Sequence, residues 1–481
     1  MADNPRSADF RAPLAAFGVA ALAALAGLAM VAAGTAPAVK ARPHAAAQAH
    51  GNAPVAATAV DDLPGFAPQA PPVEEGPLRY DVEYPTIPYS KGARTDAVAA
   101  LIARLERGDV KLEYRPPRGY LDSLLAALKI DPSSQVLVYS QTSLQSRVIG
   151  PATPRAIYFN DDVYVAWVQF GGPIEIASQD PSLGPVFYLL EQTEGTRPKF
   201  TGELTKCLSC HDSYSLSGGG VPRYLVGSGY TGITGMLVSH EGWILVTDRT
   251  PLKSRWGGWY VTGRHGDQVH LGNMRIRSLH DFDDFEAHRV GNLDTLDGLF
   301  NTQPYLTDRS DIVALLVFQH QLNVQNQITR LSYDARTALA AAAAGRIDAR
   351  EAERRMAEPV EELLKRMLFV DAAEYTAPIS GDPGFATQFA SRAVRDGQGR
   401  SLRDFDLTHR LFRYPFSYVV YSAAFDALPA EAKSLFYRRL DAILQGKDHG
   451  EGFAALAADD RAAILEILRA TKPDFVRAVA N

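Results

Sequence analysis

The spacing of apolar and polar positions changes along the chain. In residues 96–107 and 121–130, apolar side chains recur every third or fourth position, which predicts two short helices. From about residue 136 they gather instead in short β-branched and aromatic runs separated by Asn, Asp, Gly and Pro, a pattern typical of strands. The strands predicted from these runs are 136–139, 156–159, 163–168, 185–190, 242–246 and 259–262.

Beyond residue 308 the helical spacing returns and continues to the end of the sequence. It predicts helices at 311–344, 348–369, 431–444 and 459–470, the second of them beginning at Asp348 as its N-cap. Strands mostly before residue 275 and helices mostly after residue 308 indicate an α+β protein. No internal repeat is evident.

These changes divide the chain into four parts. Residues 1–39 form a signal peptide or N-terminal membrane anchor, and residues 40–78, rich in Ala and Pro, form a flexible linker. Residues 79–305 form the β-rich region, on which the helical region of residues 306–481 is expected to pack.

The N-terminal segment indicates export. Arg6 and Arg11 precede residues 12–39, which contain no charged residue and are mostly Ala, Leu, Val and Gly. Small residues at 36–38 or 47–49 would suit cleavage, but the apolar run is also long enough for an uncleaved anchor through residues 12–33. A buried core helix is a weaker alternative. We therefore expect a periplasmic protein, either soluble after cleavage or tethered to the inner membrane.

The amino-acid composition argues against two classes of protein, nucleic-acid-binding proteins and disulfide-stapled scaffolds. The 481 residues include 49 Lys and Arg against 55 Asp and Glu, a formal net charge of -6, and no long basic run, so nucleic-acid binding is not expected. Two cysteines exclude a disulfide-stapled scaffold, and the 46% hydrophobic content is sufficient for a large core.

Both cysteines belong to one motif. Cys207, Cys210 and the adjoining His211 form C-x-x-C-H, the attachment sequence of covalent haem c. Its chemistry requires two thiols that form thioethers with one porphyrin and an imidazole as proximal iron ligand. The motif predicts one covalent haem. A thioredoxin-like thiol pair, a zinc site completed by distant histidines, and a short disulfide are weaker alternatives.

Candidates for the distal side of the haem follow the motif. His270 and Met274 are the first choices for a distal iron ligand, with His270 close behind a Gly-rich aromatic segment. His320 lies on the apolar face of a predicted helix, where it is a core histidine or contacts the haem. Tyr260, His270 and His320 are the candidate catalytic residues if the protein is an enzyme. The other downstream candidates are Met236, His240, His265, His280 and His288.

Three further patterns predict no site. Residues 227–232 match G-x-G-x-x-G, but no helix follows the third glycine, so they indicate a turn-rich loop. The glycines of 217–220 indicate a second loop or, less favoured, a place where the backbone packs on the porphyrin edge. The acidic residues of 281–286 could hold a hard cation such as calcium, but they lack EF-hand spacing and indicate a solvated loop.

Several stretches together resemble a known group of proteins. They are PRAIYFNDDVYV at 154–165, CLSCH at 207–211, WGGWYVTG at 256–263 with HLGN at 270–273, and YSAAFDALP at 421–429. They resemble a poorly characterised family of large exported proteins with a single cytochrome-c-type haem motif, over most of residues 130–475. The resemblance implies haem and an extracytoplasmic location, and assigns roles only to Cys207, Cys210 and His211.

Three functions are compatible with these features. The first is one-electron transfer by a c-type haem protein, with a redox protein or a small molecule as its partner. A haem c carrier needs only about a hundred residues, however, a typical size for one domain. The second is therefore an oxidase- or peroxidase-like enzyme with an open distal position, and the third is a non-catalytic haem sensor or assembly factor.

Overall fold

The computed structural model describes residues 82–195, 197–213, 219–238, 242–277, 291–448, 450 and 452–480. All of these residues belong to one compact unit, Glu74–Asn481. The signal or anchor of residues 1–39, the linker of 40–78, the acidic stretch of 281–286, and His240, His280 and His288 lie outside the described residues.

A seven-stranded antiparallel sheet is the centre of the fold. Its strand order is β6-β5-β4-β3-β2-β1-β9, so the first six strands are neighbours in sequence and β9 adds to the β1 edge. A separate ribbon pairs β7 with β8. The strands are β1 Val136–Val138, β2 Arg155–Phe159, β3 Val163–Val168, β4 Ile174–Asp180, β5 Gly184–Leu190, β6 Phe200–Gly202, β7 Gly227–Ser228, β8 Ile244–Leu245 and β9 Trp259–Tyr260.

Both faces of the sheet are buried. Side chains alternate between faces along a strand, so Ile157 and Phe159 of β2 belong to one hydrophobic core and Ala156 and Tyr158 to the other. This double burial explains why the strands appear in the sequence as nearly continuous apolar runs.

Helices cover the two faces. The helices are α1 Ala97–Arg107, α2 Leu121–Leu128, α3 Thr205–His211, α4 Ile312–Ala343, α5 Ala349–Met367, α6 Pro383–Ser391, α7 Ala423–Asp426, α8 Ala430–Leu444, α9 Ala458–Thr471 and α10 Pro473–Val479. Apolar residues of α1 and α2 join one core, whereas α4 and the later helices fill the other. Among the described residues no helix has the length and apolar character needed to cross a membrane.

The combination of helices and an antiparallel sheet confirms the α+β prediction. Periodicity placed the long helices well, since 311–344 and 348–369 correspond to α4 and α5. It missed β4, β6, α6, α7 and α10. The run at 227–232, expected to be a turn-rich loop, begins with the two residues of β7 before it turns.

Candidate haem site

The C-x-x-C-H motif lies on the short helix α3, directly after the edge strand β6. Three residues apart on a helix, Cys207 and Cys210 have side chains on neighbouring positions of one face. Both are free thiols, Cys207 half-buried and Cys210 exposed. The helix therefore presents two unpaired sulfur atoms side by side.

The thiol environment differs from that of a thioredoxin-like pair. Burial raises the pKa of the Cys207 thiol to about 12, with the carboxylates of Glu175 and Glu203 acting in the same direction. Reactive thiol pairs have lowered pKa values, so Cys207 is a neutral, weakly reactive thiol in this structure. Within the described residues, no three His, Cys, Asp or Glu side chains are grouped as metal ligands.

His211 is held in one orientation. Its Nδ1 lies 2.6 Å from the carbonyl oxygen of Arg223, and the N–H of Arg223 donates to the His211 carbonyl at 3.0 Å. Because a carbonyl only accepts, Nδ1 carries the proton and Nε2 keeps its lone pair. Burial lowers the pKa of His211, which also favours the neutral ring. This is the tautomer that an iron-ligating histidine requires.

A cavity of about 620 Å³ adjoins the motif, within the size range of cofactor sites. Cys207, Cys210 and His211 all line it. The rest of the lining comes from the sheet, from α4 and from the segments beside the β7–β8 ribbon. It is mainly aromatic and aliphatic: Ile157, Tyr164, Ala166, Phe187, Tyr224, Trp243, Trp259, Phe318 and Leu322. A large, flat, apolar group that can react with two thiols fits this lining and the side chains of Cys207, Cys210 and His211.

The cavity wall also contains charged groups. Arg155 and Glu175 form an ion pair, with Nη1 of Arg155 3.1 Å from Oε2 of Glu175, and each side chain is 17% exposed. Lys206, whose side chain is 63% exposed, lines the cavity beside Cys207.

The distal candidates lie elsewhere. His270, Met274 and Tyr260 are buried but are not among the residues that line the cavity. The His270 ring packs against His265, with centroids 4.6 Å apart. The Tyr260 hydroxyl donates to the carbonyl of Pro151 at 2.7 Å. The structure therefore does not bring these three residues to the C-x-x-C-H motif.

His320 is part of the core. Its Nδ1 lies 2.8 Å from Oδ2 of Asp248, its Nε2 lies 2.8 Å from Oγ of Ser417, and its ring stacks on Phe369. It is fully buried and does not line the cavity. Gln321, which follows His320 in the chain, contacts a residue of the cavity lining, because its side-chain amide donates to the hydroxyl of Tyr164 at 2.5 Å.

Several wall residues were not singled out by the sequence. Phe187 packs its ring 4.6 Å from that of His211, although 24 positions separate the two in the chain. Arg155 and Glu175 come from β2 and β4, with β3 between them. Strand alternation indicates which residues share a face, but the sequence does not specify which face α3 approaches.

Comparison with known proteins identifies no relative: no family model matches the chain, and neither the curated proteins nor the solved structures contain a match. The resemblance to large exported single-haem proteins therefore stays a prediction.

Proposed function

We propose that this protein is an extracytoplasmic c-type haem protein that binds one haem covalently and performs one-electron transfer. The observation that carries the proposal is the placement of Cys207, Cys210 and His211 together on the wall of one apolar cavity. The haem, when bound, would supply an iron centre that exchanges single electrons. The alternatives are an oxidase- or peroxidase-like enzyme with an open distal position and a non-catalytic haem sensor or assembly factor.

Each residue of the motif has a distinct part in the proposed site. The thiols of Cys207 and Cys210 would form the two thioethers, and Nε2 of His211 would be the proximal nitrogen. The hydrogen bond from Nδ1 of His211 to Arg223 supports this part, because it fixes the ring and increases the basicity of Nε2. The aromatic walls would exclude water, which is one of the factors that set a reduction potential.

The compartment is proposed from the sequence. Arg6 and Arg11 followed by the uncharged run of residues 12–39 support export to the periplasm, either with cleavage or with an inner-membrane tether. Covalent haem attachment after secretion is consistent with that location.

Haem staining of denatured protein tests the proposal. The full chain is matured together with a haem-attachment system, and the wild type should retain haem after denaturation. Replacing both Cys207 and Cys210 with Ala should abolish the stain, because no thioether can form, whereas Ser209→Ala, between them, should retain it. An unstained wild type, or a stained double variant, contradicts the proposal.

Visible spectra separate electron transfer from the enzymatic alternative. Oxidised and reduced protein would be recorded with and without carbon monoxide or cyanide. We expect unchanged spectra for a saturated electron-transfer site, whereas a shifted spectrum would favour the open position of an enzyme.

A further inference from the structure

Arg155 and Glu175 form an ion pair at the cavity wall, and the two residues differ in how many of their polar atoms are hydrogen-bonded. Both Glu175 carboxylate oxygens are occupied: Oε2 accepts from Arg155, and Oε1 accepts from Nε2 of Gln145 at 3.0 Å. Arg155, by contrast, uses only Nη1 for Glu175, while its Nη2 makes no hydrogen bond among the described residues and, unlike its Nε, is not fully buried. A guanidinium carries five N–H donors, so Arg155 retains unused donor capacity.

The unused donors of Arg155 lie in largely apolar surroundings. Both side chains are only 17% exposed, and the lining around them is largely apolar. Burying a guanidinium whose N–H groups are not all hydrogen-bonded costs free energy in such surroundings, unless a ligand accepts the remaining hydrogen bonds. Glu175, already doubly bonded, holds the guanidinium against the wall.

We infer that Arg155 binds a carboxylate of the group that occupies the cavity, and that Glu175 positions it. This inference rests on the proposed function, in which the occupant is haem. Haem carries two propionate carboxylates, and a guanidinium recognises a carboxylate by charge and by its planar fork of donors. Arg155 would thus be a cofactor-binding residue outside the C-x-x-C-H motif.

Esterified haem provides the test. In the Cys207→Ala, Cys210→Ala background, binding of ferric haem is compared with binding of haem dimethyl ester, in which both carboxylates are blocked. Adding Arg155→Gln should weaken haem binding about tenfold or more, the value of a charged hydrogen bond, and leave ester binding unchanged. Arg155→Lys should restore part of the affinity. Arg147→Gln, an exposed arginine outside the lining, is the control.

A second variant separates the hydrogen bond from net charge. Replacing Arg155 and Glu175 together with Gln keeps the charge of the wall unchanged, and should still weaken binding of haem more than binding of the ester. Equal weakening of both ligands, or of neither, overturns the inference.

The covalently loaded protein provides an independent readout. Arg155→Gln should retain its haem stain, because the thioethers do not involve Arg155, but should have a lower reduction potential than the Arg147→Gln control, since the positive charge that would pair with a haem carboxylate is lost. An unchanged potential overturns the inference while the haem proposal stands, whereas an unstained wild type overturns the haem proposal itself.

Discussion

At the scale of single residues, several buried polar groups of this protein have specific partners. His320 is the clearest example, because its two ring nitrogens each lie 2.8 Å from an oxygen atom, of Asp248 and of Ser417, and its ring stacks on Phe369. The contacts run from the Asp248 carboxylate through the His320 ring to the Ser417 hydroxyl, the order found in a Ser-His-Asp catalytic triad. All three are buried and none lines the cavity, so the arrangement supports a structural role.

Replacing His320 with Ala should therefore reduce stability without changing haem attachment. The substitution leaves the carboxylate of Asp248 without its ring partner and removes the stack on Phe369, so we expect a loss of about 3 kcal/mol in the free energy of unfolding. Denaturant titration measures the loss. His409→Ala, at a side chain that is 80% exposed, should change stability little. A lost haem stain in folded His320→Ala protein would contradict this structural role.

The motif and its neighbours show what the sequence reveals at this scale. Cys207, Cys210 and His211 were predicted as a unit because their chemistry depends on spacing along the chain. Arg155 and Phe187 approach them only through the pairing of strands, and their separation in sequence gives no signal. His270 followed a glycine-rich segment in the sequence, yet packs away from the cavity.

At the scale of elements, α4 joins the sheet to the later helices. Its N-cap Asp311 accepts from the N–H of Ala314 at 2.8 Å and also from the N–H of Asp382 at the start of α6. Burial nevertheless raises the pKa of the Asp311 carboxyl to about 7. One carboxyl group thus serves two helix starts in an environment that disfavours its charge.

The pH dependence of stability should reflect Asp311. The folded protein holds this proton more tightly than the unfolded chain, in which the carboxyl titrates near 3.8. Its contribution is therefore fully present below about pH 4 and is lost as the pH rises to about 7, on the order of 3 kcal/mol. Asp311→Asn should lose less stability between pH 4 and 8 in denaturant titrations.

A matched substitution controls for the loss of a cap. Asp348 caps α5 through the N–H of Glu351, but it is exposed. Asp348→Asn should not reproduce the changed pH profile. An Asp311→Asn profile identical to that of the wild type would show that Asp311 is not the group responsible.

Helices and strands were predicted correctly from the sequence where a single hydrophobic period continues through a long segment. The 32 residues of α4 gave a clear helical signal. Strand β4 alternates apolar and polar residues only in its first half, and β6 has three residues, so neither gave a strong signal. Burial of one face of the sheet likewise depends on α4, which begins more than a hundred residues after the end of β5 in the chain.

At the scale of the whole molecule, the β-rich and helical regions share one core. Ile157 and Tyr164 of the sheet pack in the same hydrophobic core as Phe318 and Leu322 of α4, and all four line the cavity. The expected boundary near residue 305 therefore separates two regions that complete each other's core within the unit Glu74–Asn481.

A fragment of residues 79–305 should consequently fail to fold. Without α4 and the later helices, one face of the sheet would expose its apolar side chains, and we expect aggregation or a loose state that binds a hydrophobic dye. A fragment of residues 74–481 should be folded and monodisperse. Near-ultraviolet circular dichroism and gel filtration compare the two. A native-like spectrum for residues 79–305 would show that the shared core is dispensable.

The unequal exposure of the two cysteines bears on how the mature protein would be assembled. Cys210 is open to solvent, whereas Cys207 is half-buried with a raised thiol pKa. An alkylating reagent should therefore label Cys210 before Cys207 in the folded protein without haem. In a chain that folds before the cofactor arrives, the first covalent bond would form at Cys210 and the second at Cys207, which lines the same cavity.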